Sequence, residues 1–336
     1  MGKIKFILNR YFVQAMGAMA LGLFSSLIIG LIISQIAKIP GLEILKDITK
    51  VLAASSPVIG AAIGVAIAWG LKTRPLVMFS CAATGACGYL YGGPVGAFVA
   101  AIVGAELGQI VAGRTPVDII ITPIVTIVTG GLVGIFVGGP INNFMMFLGD
   151  IINSATVMAP FSMGIIIAVV VGMALTAPIS SAALCIMLGL DGLAAGAATV
   201  GCCAQMIGFV VSSIKDNGWG CVLPIGLGTS MLQFGNIMRR PQIWIAPTIA
   251  AAILGPISTC VFQMTNTPEG AGMGTSGLVG QFGTFAAMGN QIDFIPLLGL
   301  IILLHFILPA FLTLIIDSTL RKWRWIRPGD LTLQKI

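Results

Sequence analysis

Two stretches in the second half of the chain repeat a pattern suited to holding a polar solute. Residues 226–232 read Gly-Leu-Gly-Thr-Ser-Met-Leu, and residues 272–278 read Gly-Met-Gly-Thr-Ser-Gly-Leu. A Gln-Phe pair follows each, Gln233-Phe234 directly and Gln281-Phe282 after two extra residues. Gly permits a tight turn. Thr or Ser after it caps a half-helix whose free N–H groups and positive dipole end face a cavity. Two converging tips of this kind make a polar pocket in an apolar medium. It would be lined by Thr229, Ser230, Thr275, Ser276 and Glu269, with Gln233, Gln281 and Asn266 close by. Buried hydroxyls and amides need partners, and a hydroxyl-rich solute supplies both donors and acceptors. Glu269, in Asn266-Thr267-Pro268-Glu269-Gly270, stands directly before the second tip, where it can accept from substrate hydroxyls or act as a general base. The competing reading is plainer: glycines let helices pack closely in membranes, and Glu269 is a loop carboxylate at the water boundary.

Other ionisable side chains within apolar runs are few, so each is informative. Glu106, in a helix over Pro94–Ala112, either pairs with Arg114 or lines a cavity. Asp118, beside Arg114, suits a helix-start cap or an ion pair. His305, the single histidine, has no carboxylate one turn away and reads as a packing residue remote from both tips. The seven cysteines form no C-x-x-C pair and read as small buried thiols. Neither a metal site nor a cofactor is expected. No Walker motif or hydrolase triad spacing is present, so catalysis by this chain alone is not expected.

The surroundings of these residues are set by composition. Of 336 residues, 57% are hydrophobic and only 8% charged, against roughly 25% charged in a soluble domain. No charge occurs from Tyr11 to Ala37, Pro75 to Ala105, Ile151 to Leu190, or Phe294 to Ile316. A spanning helix needs about 20 mostly apolar residues. The chain therefore reads as an all-α integral membrane protein. Alternating strands of the porin type are absent. The net charge of +6 sits at segment ends, which speaks for membrane orientation and against a nucleic-acid face.

Charge, Gly and Pro punctuation predicts about ten transmembrane helices, two re-entrant hairpins and interfacial amphipathic helices. The core halves cover 11–138 and 159–317, the interfacial segments 38–54 and 141–158, and a basic cytoplasmic tail 318–336. Pro75–Tyr91 and Pro94–Ala112 are predicted as two short helices broken at Gly92-Gly93-Pro94. Ser180–Leu190 and Gly192–Ser213 form a second broken pair. The hairpins are Trp219–Asn236 and Glu269–Asn290, the latter with seven glycines from Gly270 to Gly289. With the N-terminus in the cytoplasm, Lys72, Arg74, Arg114, Lys215, Arg239, Arg240 and the tail all fall inside, as the positive-inside rule asks. The two hairpins then enter from opposite faces. An echo between Gly96-Ala97…Gly108 and Gly196-Ala197…Gly208 adds to the pattern of inverted repeats typical of secondary transporters.

Three segments carry a resemblance. The stretch Gly113-Arg-Thr-Pro-Val-Asp-Ile-Ile-Ile-Thr-Pro123, the Arg239-Arg240-Pro241…Ile245-Ala-Pro247 segment and the Asn-Thr-Pro-Glu loop resemble the membrane IIC-like proteins of the phosphotransferase system. The subgroup is the one that includes the perfringolysin-regulator-like proteins. The resemblance implies a homodimer in the bacterial plasma membrane, multi-pass, with cytosolic IIA and IIB partners and both termini cytoplasmic. It implies a loop glutamate in the sugar site, for which Glu269 is the matching position, and a histidine elsewhere in the core. No histidine is expected near either hairpin here, and His305 falls in the wrong span to be carried over. The reading that follows is an elevator-type permease of a small polar solute, a carbohydrate, in contact with membrane lipid and without nucleic acid. Sugar phosphotransferase activity would arise only together with separate IIA and IIB proteins. A non-transporting membrane sensor, or a transporter of a small anion uncoupled from phosphorylation, remain the alternatives.

Overall fold

The computed structural model describes residues 9–37, 39, 41–53, 55–177 and 180–333. These residues form helices and turns, with one isolated antiparallel bridge between Gly192 and Asn266. The chain divides into two compact units, residues 1–149 with 186–189, and residues 150–185 with 190–336. Among the described residues six helices are long and apolar enough to cross a membrane by length and composition, and two more are apolar but shorter.

The first unit is built on helices α1 (Met16–Ser34), α2 (Pro57–Gly70), α3 (Pro75–Val111) and the greater part of α4 (Asp118–Met158). Local chemistry starts them. Ser56 accepts from the Val58 N–H at 3.3 Å with Pro57 as the first helical residue, and Pro75 opens α3, where a missing N–H costs nothing. The predicted break at Gly92-Gly93-Pro94 is present: Gly92 lies at φ −135° and Gly93 at φ +55°. The two arms of α3 fold back until the Gly88 and Gly96 backbones touch, with no space for a side chain at either. The Glu106 carboxylate in the second arm takes the Arg10 Nε at 2.7 Å and the Tyr11 hydroxyl at 3.1 Å. Its partner is thus Arg10 and not Arg114, because the packing of α3 brings the chain start alongside. Asp118 acts as a cap, accepting from the Gly113 N–H and the Thr122 hydroxyl at 2.6 Å each.

Two predicted segments take different forms. Among the described residues of 38–54 only Leu45–Val51 is helical, an exposed turn bearing a Lys50–Asp47 pair at 2.6 Å; Lys38, Pro40 and Ala54 lie outside the described residues. Residues 141–158 are not a separate helix but the continuation of α4, which runs through a π turn at Gly134–Gly138 and on through Gly139-Pro140 without a break.

The second unit contains α5 (Pro160–Thr176), α6 (Ser181–Leu188, whose last residues belong to the first unit), α7 (Gly192–Asn217), α8 (Pro241–Val261), α9 (Val279–Met288) and α10 (Phe294–Lys322). The second broken pair is therefore also present, at 189–191. Helix α7 is the centre: residues 194–206 are buried without interruption. Its approach to α5 is backbone to backbone, and a methyl group on Gly201 would overlap the Ala168 carbonyl. Gly164 and Gly255 bring α5 and α8 together in the same way. Small residues let helices pack where lipid gives no hydrophobic drive. The predicted hairpin regions are chains of short turns: Gly218–Cys221, Pro224–Gly228, Ser230–Gln233 and Phe234–Arg239 in the first, Pro268–Ala271, Ser276–Leu278 and α9 in the second.

The segment predicted as a basic tail packs within the second unit. After α10 the chain turns back, and Ile326 and Leu331 pack with Phe209, Ile225, Ile237 and Ile243. Asp216, paired with Arg321 at 3.6 Å, accepts from the Leu331 N–H at 3.2 Å, and Asn217 donates to the Leu331 carbonyl and accepts from the Leu333 N–H.

A Gly201→Ala substitution should force α5 and α7 apart and cost about 1–3 kcal/mol. Gly299→Ala, on α10 where nothing lies within 4 Å, should leave stability unchanged or raise it slightly. Thermal melts of the two variants in detergent check this.

Candidate functional site

The two repeated tips lie in one unit and touch. In the first, Pro224–Gly228 is a wide turn that Thr229 leaves in extended conformation at φ −158°. The Thr229 hydroxyl accepts from the Met231 N–H at 3.1 Å, so it caps the turn Ser230–Gln233, as the sequence pattern anticipates. In the second tip Gly274 and Gly277 are left-handed at φ +54° and Leu278 follows at φ +58°. Glycine enters that region freely and leucine does not. Strain of this kind persists only where the surroundings hold a loop in one shape.

Thr275 does not cap its own helix. Its hydroxyl donates to the Gly226 carbonyl of the first tip at 2.6 Å, with Met206 Sδ at 3.5 Å. Ser276 donates to the Gly228 carbonyl at 2.8 Å. The expected equivalence of the two caps therefore holds only at Thr229. The left-handed turn at Gly277-Leu278 denies Thr275 a cap geometry and sends its hydroxyl across to the other tip. Ser230, fully buried, shares a hydrogen bond with Thr176 at 2.9 Å.

Both tips rest on α7. Gly274 packs against the backbone of Cys202 and Cys203 with no room for a side chain. One turn along, the fully buried Gln205 accepts from Trp244 Nε1 at 2.9 Å and from Thr176 at 3.4 Å, and donates to Thr248 at 3.2 Å. Thr176 thus links Ser230 of the first tip to this amide.

The three predicted amides hold the tips up from behind and do not face outward. Asn266 Nδ2 donates to Thr199 at 2.6 Å, to the Gly280 carbonyl at 2.9 Å and to Thr284 at 3.2 Å. Its Oδ1 accepts from the Thr267 N–H at 2.7 Å, and Gly270 and Gly283 close around it. Gln281 Oε1 accepts from His305 Nδ1 at 3.1 Å while its Nε2 donates to the carbonyls of Gly274 and Leu278 at 3.3 Å each. Gln233 faces the other way: it donates to Ser213 and to the Leu331 carbonyl at 2.9 Å each, and accepts from Asn236 at 2.7 Å. It joins the first hairpin to the returning C-terminal segment.

Glu269 is half-buried in the first turn of Pro268–Ala271 and makes no hydrogen bond or ion pair with a described residue. Among the predicted site residues it alone has a free hydrogen-bonding side chain.

His305 corrects the sequence reading. It is buried and braces the second tip through Gln281, so a histidine does lie beside a hairpin. The sequence hid this because the two residues sit on different helices, α9 and α10, and no spacing pattern joins them. Thr176, Gln205 and Trp244 were likewise missed. The available signal was the isolated Gln205 amide inside an apolar run, which needs partners wherever it is buried.

The model of the family described as "Phosphotransferase system, EIIC" matches residues 13–333. The chain belongs to the EIIC family. No curated protein and no solved structure matches it. As an EIIC protein it is a multi-pass membrane protein and a membrane transporter component. All seven cysteines of this EIIC chain are free thiols, and Cys81, Cys185, Cys202, Cys203 and Cys221 are buried.

The geometry separates support from contact. Asn266→Ala removes a buried amide that donates to Thr199, the Gly280 carbonyl and Thr284 and should cost about 1–3 kcal/mol. Glu269→Gln, with no partner to lose, should stay within about 0.5 kcal/mol of the parent. Melting of the two variants in the same detergent tests the distinction.

Proposed function

We propose that this EIIC protein is the permease of a small polar solute, a carbohydrate, bound between the two Gly-x-Gly-Thr-Ser tips. The observation that carries the reading is the direct contact of the tips through Thr275 and Ser276. Each of these bonds ties a side-chain hydroxyl to a backbone carbonyl, and a sugar hydroxyl can replace either group. Such bonds inside membrane proteins are worth only about 1 kcal/mol each, so a polyol can exchange with them as the tips part. Glu269, half-buried and unpartnered, supplies a charged acceptor beside the opening. Thr229 and Ser230 on one side and Thr275 and Ser276 on the other are the contact residues. Asn266, Gln281 and Gln233 hold their positions.

The architecture that suits this task has about ten transmembrane helices with the two hairpins re-entrant from opposite faces, both termini cytoplasmic, in a bacterial plasma membrane. Alternating access by elevator movement of the tip-bearing helices follows from the broken helices and the repeated tips. Residues of the first half then supply the scaffold of a homodimer. Cytosolic IIA and IIB proteins are the partners that the family setting favours, and with them the solute is phosphorylated as it enters. The phosphoryl group passes from the IIB protein to a sugar hydroxyl, and Glu269 orients that hydroxyl and, as general base, takes its proton.

Glu269→Gln distinguishes a neutral solute from an anion. For a neutral sugar the substitution removes a charge-assisted hydrogen bond and should weaken binding by about 1.5–3 kcal/mol. For an anion it should leave binding unchanged or strengthen it. Titration of purified protein with a panel of sugars, sugar acids and sugar phosphates reads the difference. Absence of binding and of liposome uptake across that panel would overturn the transporter reading in favour of a sensor.

A further inference from the structure

The turn that follows α10 is built in a way that transport does not account for. Helix α10 ends at Lys322. The next residues are Trp323 and Trp325, 64% and 52% exposed, whose rings meet edge to face with centroids 6.1 Å apart. Between them Arg324 adopts a left-handed backbone at φ +60°, in the place after a helix where glycine is the usual residue. The turn is nevertheless fixed: the Arg324 N–H reaches the Arg321 carbonyl and the Trp325 N–H the Leu320 carbonyl, at 3.0 Å each. Ile326 is then buried in the core beside Leu320 and Leu331.

The chain thus holds two large aromatic rings and an arginine outward in a rigid turn. Lys322, Arg324 and Arg327 are exposed and make no ion pair with a described residue. Arg321, by contrast, is consumed by Asp317 at 2.8 Å and Asp216 at 3.6 Å. Exposed cations separated by tryptophans, at the end of a helix apolar enough to span, match the boundary between hydrocarbon and headgroups. Tryptophan settles there, and clustered Lys and Arg there attract acidic lipid. Arg324 holds this left-handed backbone although glycine would relieve it.

We propose that the turn Lys322–Arg327 binds the phosphate of an acidic phospholipid headgroup. The tryptophans seat at the level of the glycerol backbone, and Lys322, Arg324 and Arg327 converge on the anionic group. The inference uses the membrane-spanning character of α10 and not the sugar reading, nor the assignment of this end to the cytoplasm, because the test employs bilayers with the same lipid on both faces.

The full chain is placed in nanodiscs of phosphatidylcholine containing a fixed share of phosphatidylglycerol, with bromine near the top of the acyl chains of either one lipid or the other. Tryptophan quenching is compared, and a Trp323→Phe/Trp325→Phe variant identifies the share owed to the pair. The expected result is stronger quenching by brominated phosphatidylglycerol, falling as salt rises. The preference should drop about fivefold for each cation replaced by Gln at 322, 324 and 327. Glycerol phosphate in solution should not compete. Arg324→Gly is the decisive variant: it relieves the left-handed backbone, so the melting temperature should hold or rise while the lipid preference falls. Equal quenching by the two lipids, or a preference that survives both Arg324→Gly and the triple Gln variant, overturns the proposal. Either result leaves the sugar titrations unaffected.

Discussion

Gly201 brings the α7 backbone against the Ala168 carbonyl with no room for even a methyl group, and the residues on either side of it carry the rest of the second unit. Thr199 receives the Asn266 amide. Cys202 and Cys203 receive the Gly274 turn. Gln205 gathers Thr176, Trp244 and Thr248, and Met206 lies beside Thr275. Two turns of one helix thus face α5, α8 and both tips at once. A helix can do this only if its own side chains are small on the packing faces and polar where loops arrive. Backbone away from regular helices is tolerated at membrane depth only when protein or water satisfies it, and α7 is the surface that provides for the second tip.

The division of labour around that helix explains why so many polar residues cluster at the tips. Asn266, Gln281 and Gln233 are each fully engaged. Their task is to hold loops whose shape the backbone alone would not keep. Thr275 and Ser276 are engaged too, but with carbonyls of the opposing tip. Glu269 is engaged with nothing described. Fixed supports, tip-to-tip contacts and one open acceptor form a graded set, and the grading comes from the partners of each residue and not from its type.

The legible part of this in the sequence was local. Repeated Gly-x-Gly-Thr-Ser marks both tips because a tight turn needs glycine and a turn exit favours a hydroxyl. Gly92-Gly93-Pro94 marks the fold-back of α3 because no helix passes through it undisturbed. What a side chain reaches across the fold was not legible. Thr229 and Thr275 occupy matching positions, yet one caps its own turn and the other bonds its counterpart. Glu106 has a nearby arginine in Arg114 and pairs with Arg10 instead. His305 seemed isolated because its partner is an amide on another helix. The amphipathic look of 141–158 and the basic look of 318–336 are properties of composition, but continuity with α4 and burial of Ile326 and Leu331 depend on packing that composition does not encode.

The returning C-terminal segment imposes an order on synthesis. Gln233 and Asn236 rely on the carbonyls of Leu331 and Thr332, which leave the ribosome about a hundred residues after them. At 5–20 residues per second, the first hairpin waits several seconds or more with these two amides lacking their final acceptors. Its tip cannot reach its finished shape during insertion of the preceding helices. A stretch made about a hundred residues later thus completes an earlier element, and a stop between Lys322 and Leu331 would spare every candidate span among the described residues while leaving Gln233 and Asn236 without these acceptors.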